Sequence, residues 1–379
     1  MSKLLILIIG VYLIVCPFYF FDSGIPQPAH YMVSIAFLAM FFSRGFSLIL
    51  KEKVVHYLLL FLLLIIVINS VYYFKYYGDG NTFLLTSAYY VFNFLFFLLF
   101  LKTLKQGSSQ NIDKIVLFLL ISLGVQVILA ILDINKITQY IVTGRSVIYF
   151  NNPNQLGYFA LLTLTLFTVL PSRYRKNRLI VMGAIAGSVI LAVVSSSRIV
   201  LLGLVVLALL SLHQLDIKLN FKYWILISVF GIVIALFLSK TEFIQKRISL
   251  VEVRNNRQDT TGVSEAQIRG YDRIWLHPKN LVFGAGEGKY DRFKSQQKGE
   301  LHSGLGTILF SYGIIGITLF LLFFYKIIAG NIFYNFLLLT PILLYNLVHQ
   351  GFRNPLFWGV LATVYVTSLQ LDEFTKIKS

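Results

Sequence analysis

Residues 54–74 read VVHYLLLFLLLIIVINSVYYF, 21 positions with one histidine and no Asp, Glu, Lys or Arg. A bilayer core is ~30 Å thick and a helix rises ~1.5 Å per residue, so about 20 apolar residues cross it. Working outward with that ruler predicts about twelve spans, near 4–21, 29–43, 54–74, 83–101, 115–132, 154–171, 179–194, 199–212, 221–239, 303–325, 328–348 and 355–371. The two around Ser195–Arg198 are short and read equally well as one broken helix pair. The first follows Lys3 as a signal peptide would, but it is too long for such a segment and lacks a small-x-small cleavage site. It is therefore expected to be retained.

Composition agrees. Of 379 residues, 57% are hydrophobic and 13% charged, where a soluble domain carries about 25% charged. Mean hydropathy is +0.76. The expected fold class is all-α: a single polytopic membrane domain over 1–379 with about 12 transmembrane helices and one large external loop. Cys16 is the only cysteine, which excludes a disulfide framework and a cysteine-based zinc site.

The formal charge is +17. In a soluble protein that would suggest nucleic acid; here the positions of the charges relative to a bilayer decide, and no nucleic-acid partner is expected. With the N-terminus inside, cytoplasmic connections hold 16 Lys and Arg, and the short external ones hold 5: Lys75, Lys136, Arg145, Arg198 and Arg353. The other 12 lie in 240–302, and segments this long translocate largely regardless of charge. Both termini are thus expected in the cytoplasm and 240–302 outside.

That loop is the one sizeable hydrophilic block, and long ordered loops usually carry function. Ser264-Glu265-Ala266-Gln267 fits a capping box. Ile268, Tyr271, Ile274 and Trp275 then recur at helical spacing, and Pro278 closes the run. A short amphipathic helix over 265–276 is expected, with Arg269 and Arg273 four apart on one face. Two guanidiniums on one face suit a diphosphate, whose oxygens accept paired N–H donors; a solvated basic face is the alternative.

Arg198 follows three serines between apolar runs. An arginine near membrane depth is costly and usually faces a cavity or partner, unless it snorkels to the interface. Outside the long loop only eight acidic residues occur, none in the middle of a span. An anionic ligand is one way to neutralise such an arginine; loop acids such as Glu287 or Glu300 folding back are another. His302, beside Glu300 at the start of the next span, titrates near neutrality and can take a proton from a sugar hydroxyl. Its plainer reading is a polar residue at a helix start.

Asn151, Asn152 and Asn154 open the helix near 154, either as ordinary caps or as ligands for sugar hydroxyls or a phosphate at a helix N-terminus. The last external connection adds His349 and Arg353 at the same surface. Gly284-Ala285-Gly286-Glu287-Gly288 lacks the strand–helix context of a nucleotide fingerprint and reads as a tight turn. Tyr72, Tyr73, Tyr76 and Tyr77 suit an aromatic belt. Walker A, His-Glu-x-x-His, Gly-x-Ser-x-Gly and Asp-x-Asp sequences do not occur.

Several pieces in this order resemble the O-antigen polymerase and O-antigen ligase superfamily of bacterial envelope glycosyltransferases. They are Asn-Asn-Pro-Asn-Gln-Leu-Gly (151–157), Ser-Ser-Ser-Arg (195–198), Arg-Gly-Tyr-Asp-Arg-Ile-Trp (269–275), Phe-Gly-Ala-Gly-Glu-Gly (283–288) and the stretch from Glu300 through Gly316. Together they cover roughly 150–360, and the segment 346–358 is closer to the polymerase branch. The resemblance implies a GT-C-like glycosyltransferase in the bacterial inner membrane, with its active site on the periplasmic side. It implies an inverting reaction with no metal or other cofactor. The donor would be a glycan on undecaprenyl diphosphate and the acceptor a lipid-linked repeat unit, serving lipopolysaccharide or other surface polysaccharide synthesis. Membrane lipids, a chain-length regulator and a flippase are the implied partners. By this reading Arg198, Arg269 and Arg273 stabilise the departing diphosphate and His302 is the base, with Glu300 in reserve. Asn151, Asn152, Asn154, His349 and Arg353 bind substrate. Transfer to lipid A-core by a ligase, and a lipid-linked-sugar transporter, are the alternatives.

Overall fold

The computed structural model describes residues 2–22, 25–42, 45–76, 81–137, 147–215, 264–293, 295 and 298–378. The span expected at 221–239 and the first part of the long loop, 240–263, lie outside the described residues. Every regular element among those described is helical. In chain order they are α1 (Ser2–Val15), α2 (Pro28–Phe41), α3 (Phe46–Leu50), α4 (Lys53–Lys75), α5 (Asn81–Gln106), α6 (Ser109–Ile137), α7 (Pro153–Val169), α8 (Arg178–Ser195) and α9 (Arg198–His213). Three short helices follow, α10 (Glu265–Ile268), α11 (Asp272–Leu276) and α12 (Asn280–Phe283), and then α13 (Gly304–Ile328), α14 (Ile332–Val348) and α15 (Pro355–Lys378).

Among the described residues, five helical stretches are long and apolar enough to cross a membrane: Lys53–Lys75, Asn81–Gln106, Ser109–Leu132, Arg178–Ser195 and Gly304–Val348, the last joining α13 to α14. Shorter apolar helices occupy Leu4–Val15, Pro28–Phe41, Arg198–His213 and Pro355–Leu369. At the centre stands α7, whose positions 156–169 are all buried. A helix apolar all round has to be surrounded, and α8, α9, α14 and α15 pack against it. Gly157 and Gly203 allow close approach: a Cβ on Gly157 would stand 2.7 Å from Ser195 Oγ, and one on Gly203 2.8 Å from Pro341 Cβ.

The connections gather at two ends. At one end, Tyr19 N–H donates to Tyr149 O (2.9 Å), Asn151 Nδ2 to Phe21 O (3.0 Å), Tyr72 OH to Gly284 O (3.1 Å) and Tyr345 OH to Asn154 O (3.0 Å). At the other end, Lys105 pairs with Glu52, Tyr365 OH donates to Glu52 (2.9 Å) and Ser172 Oγ to Asp113 (2.7 Å). The described basic connections 45–53, 102–114 and 172–178 all belong to that second end.

Four local features depart from or refine the expected elements. The first span was expected to reach residue 21, but α1 stops at Val15 because Pro17 cannot continue a helix. The chain then turns, and Gln27 Oε1 accepts the Phe20 and Phe21 amides (2.8 and 2.9 Å). The single helix expected over 265–276 is divided: the Ser264/Gln267 cap forms, but Gly270 takes φ +78° and separates α10 from α11. Between α8 and α9 the serine run is a break, with Ser196 left-handed and Ser195 Oγ returned to Ala192 O (2.8 Å). Within α13, Gly313 has φ +66° and ψ −168°, which interrupts the helical ladder. Segment 284–286 fills the gap, as Ala285 N–H donates to Phe310 O (3.0 Å) and Gly286 N–H to Ser311 O (2.8 Å). The glycine-rich run is thus an extended strap rather than a tight turn. Gly284 and Gly313 interlock there: a Cβ on Gly284 would lie 2.3 Å from Ser311 O, and one on Gly313 2.4 Å from Val282 O.

Candidate functional site

A hollow of about 260 Å³ opens at the end of the bundle where α7 begins. Its walls come from separate parts of the chain: Tyr19, Gln27, His30, Tyr89, Asn152, Asn154, Glu300, His302, Tyr345, His349, Gln350 and Arg353 are among them. Nearly all are polar or aromatic, although the bundle around them is apolar.

His302 is placed by a clamp on either side. Arg269 donates to Val348 O and Tyr271 OH to Leu347 O, while Ser303 Oγ reaches Asn346 O (3.2 Å). These are the last carbonyls of α14, which have no partner within their own helix, and a guanidinium there also suits the helix dipole. Tyr271 OH also lies 2.7 Å from Ser303 Oγ. His302 N–H donates to Arg269 O (2.9 Å), and Gly304 N–H to His349 O (3.0 Å). Segment 301–304 is thereby fastened between 269–271 and 346–349, with the His302 side chain exposed to the hollow. Burial lowers the His302 pKa from 6.5; Glu300 opposes that, and Arg269 and Arg273 reinforce it. The neutral imidazole, which accepts a proton, is therefore the resting form at pH 7.

Arg353 stands at the centre of a charged cluster. Its guanidinium meets Glu287 Oε1 at 2.6 Å and Glu300 Oε2 at 2.5 Å, and Tyr290 OH at 3.2 Å. Burial opposes the charge on Arg353, but Glu300 and Glu287 outweigh it and hold its pKa well above the ordinary value. Glu287 is fully buried yet well supplied with donors: Tyr312 OH (2.9 Å), Tyr90 OH (3.3 Å) and Arg353 reach its carboxylate. Its own N–H donates to Asn69 Oδ1 (2.9 Å). A buried carboxylate is tolerated only with such a set of partners. Both loop acids thus fold back onto an arginine. Among the residues that line the hollow, Tyr89 OH, Gln350 Oε1 and Arg353 Nε are buried atoms with no hydrogen-bond partner among the described residues. Orphaned buried polar atoms of this kind are where a ligand or ordered water is expected.

The chain matches no protein-family model and no curated protein.

The ten residues singled out in the sequence fall into three groups. Asn152, Asn154, Glu300, His302, His349 and Arg353 line one hollow. Asn152 also caps α7, accepting the Gln155 amide at 2.9 Å, so the cap and the wall are one residue. Arg269 and Arg273 stand behind the wall. Arg273 is buried, donates to Gly299 O (2.6 Å) and lies against the rings of Tyr290 and Phe293. Their placement is set by the division at Gly270 and not by a shared helical face. Arg198 and Asn151 lie at the same end but are not among the residues lining the hollow: Arg198 opens α9 beyond the serine break, and Asn151 ties the entry of α7 to Phe21.

Sequence reading missed His30, Gln27, Tyr19, Tyr89 and Gln350 as wall residues. The available signal was two polar side chains, Gln27 and His30, at the mouth of an apolar span. It also left Arg292 unassigned. Stacked Tyr72 and Tyr76, two of the four tyrosines read as an aromatic belt, lie with Phe83 and Phe293 against its guanidinium, 4.5 to 5.3 Å from the ring centres. Arg292 donates to Ala285 O and to Gly286 O (2.9 Å), bracing the strap that carries Glu287. No cluster of three or more His, Cys, Asp or Glu side chains fit for a metal occurs among the described residues.

Proposed function

We propose that the chain is an inverting membrane glycosyltransferase of about twelve spans. It uses a polyprenyl-diphosphate-linked glycan on the external face of a bacterial cytoplasmic membrane and works as a surface-polysaccharide polymerase. The observation that carries this reading is the convergence of His302, Glu300, Arg353, His349, Asn152 and Asn154 on one hollow at one end of a bundle of membrane-length helices. The position at an end, away from the midplane where transporters bind cargo, favours transfer over transport. The basic connections at the opposite end favour placing that end in the cytoplasm. The resemblance in the sequence supplies the substrate class and the metal-free chemistry.

In this mechanism His302 takes the proton of an acceptor hydroxyl. The oxygen attacks the anomeric carbon from the face opposite the diphosphate. As the new C–O bond forms, the bond to the diphosphate breaks and the lipid diphosphate leaves with the electron pair. Arg353 offers N–H donors to the growing charge, and one well-placed donor is worth ~3–4 kcal/mol in a transition state. Arg269 and Arg273 lower the His302 pKa and fix its segment. Glu300 orients Arg353 and moderates that shift, while Asn152, Asn154 and His349 hold sugar hydroxyls. The hollow is at or below the lower end of ligand pockets, ~300–1,000 Å³, so it suits the reacting ends of two glycans and not their lengths.

Purified protein given a defined lipid-linked repeat unit should produce a ladder of longer lipid-linked glycans, unaffected by chelator. Product that appears only with lipid A-core would make the enzyme a ligase. A ladder unchanged in His302→Ala would end the proposed mechanism.

A further inference from the structure

A second hollow, about 360 Å³, lies at the opposite end of the bundle. It is bounded by the entry to α4, the 329–331 link between α13 and α14, and the Tyr365–Leu369 turn of α15. Lys51, Lys53 and Lys326 line it, and Glu52 is its one acidic wall residue among those described. That carboxylate is already engaged, by Lys105 on one oxygen and Tyr365 OH on the other. Among the described residues, Lys51, Lys53 and Lys326 pair with no carboxylate. Among the described residues, three ammonium groups therefore share one concavity whose carboxylate is already engaged. Such a site takes an anion.

We infer that this hollow binds the headgroup of an anionic phospholipid. A phosphodiester accepts hydrogen bonds from ammonium donors as point charges. The position argues for a lipid over free phosphate. The hollow lies where two membrane-length stretches meet the bundle end, α4 starting at Lys53 and α13 finishing at Ile328. Exposed apolar side chains flank it in sequence on both sides, Leu48 before Lys51 and Phe333, 80% exposed, just after the 329–331 link. Acyl chains would lie along these while the phosphate enters between the lysines. Basic pockets between membrane helices take anionic headgroups by this combination. The inference rests on the membrane-length helices and holds whether or not the chain transfers glycans.

Native mass spectrometry of the detergent-purified full chain, offered equal phosphatidylglycerol and phosphatidylcholine, tests it. At roughly fivefold per lysine near a bilayer surface, phosphatidylglycerol should be preferred by about a hundredfold. The preference should disappear in Lys51→Gln/Lys53→Gln/Lys326→Gln and survive in the matching triple arginine variant. Millimolar inorganic phosphate should leave the bound lipid in place. Equal retention of both lipids by the wild-type chain overturns the proposal, as does an unchanged preference in the folded glutamine variant. Full displacement by inorganic phosphate would assign the hollow to a soluble anion instead. Should the glutamine variant fail to fold, the wild-type preference must still fall with added salt, and a salt-independent preference overturns the inference.

Discussion

Glu287 shows how one residue ties the interior to the hollow. It is fully buried, and its carboxylate holds Arg353 at the wall. Replacing it by Gln leaves a half-buried guanidinium with Glu300 as its remaining carboxylate; breaking a fully buried pair typically costs about 3–5 kcal/mol, and this partly exposed one should cost less. Thermal unfolding in detergent should show that loss for Glu287→Gln; an unchanged Tm would mean that Arg353 needs no such anchor. His302 gives a prediction with a sign. Its pKa is lowered by burial, so the unprotonated base survives below pH 6.5 and the acid limb of transfer activity should fall below the ordinary histidine range. His302→Ala should cut the rate by about 10²–10⁴ while leaving Tm near that of wild type. An acid limb at or above pH 6.5 would show that another group titrates. His302 was legible because histidine is rare in this chain and this one abuts an apolar span. The Arg353–Glu287 pair was not, because its partners are 66 residues apart and no local periodicity encodes that contact.

At the scale of elements, the break in α13 makes the site. An unbroken helix would keep the carbonyls of Phe310 and Ser311 for its own ladder. Gly313 releases them to the strap, and the strap brings Glu287 inward. Gly313→Ala places a side chain at φ +66° against Val282 O, so the penalty is both conformational and steric, about 1–3 kcal/mol for the strained backbone alone. Protease cutting within 277–299 should become much faster in that variant, and unchanged cutting would show that the strap is held by other contacts. The apolar helices were legible from length and hydropathy alone. The strap was not, because a run of five residues rich in glycine is compatible with a turn as well as with an extended segment, and what decides is a helix break more than twenty residues away. The division at Gly270 was hidden for the same reason: helical spacing of apolar residues continues across it, and only the tertiary need to send Arg269 and Arg273 to different carbonyls breaks the run.

For the whole molecule, the two ends carry different chemistry: a mixed polar hollow at one and a lysine-lined hollow at the other. If the basic end faces the cytoplasm, single cysteines introduced in a Cys16→Ala background should report it. Asp291→Cys should react with an impermeant thiol reagent in spheroplasts, and Lys51→Cys only after the membrane is opened; both side chains are exposed. The reverse pattern would invert the topology and move the polar hollow to the cytoplasm. The division of the loops was visible from charge alone, since the count compares whole connections and tolerates errors of several residues at each helix end.

The hollow's walls are drawn from Tyr19 and His30 near the start of the chain, Asn152 in its middle, and Glu300 through Arg353 toward its end. A nascent chain emerging from the ribosome therefore has no complete hollow while its early helices are being inserted. The chamber closes only once the connection leading into α15 has been made and threaded back to the others. Stalled or prematurely terminated products would then lack the hollow altogether, and a membrane holding them would carry only the apolar helices already inserted.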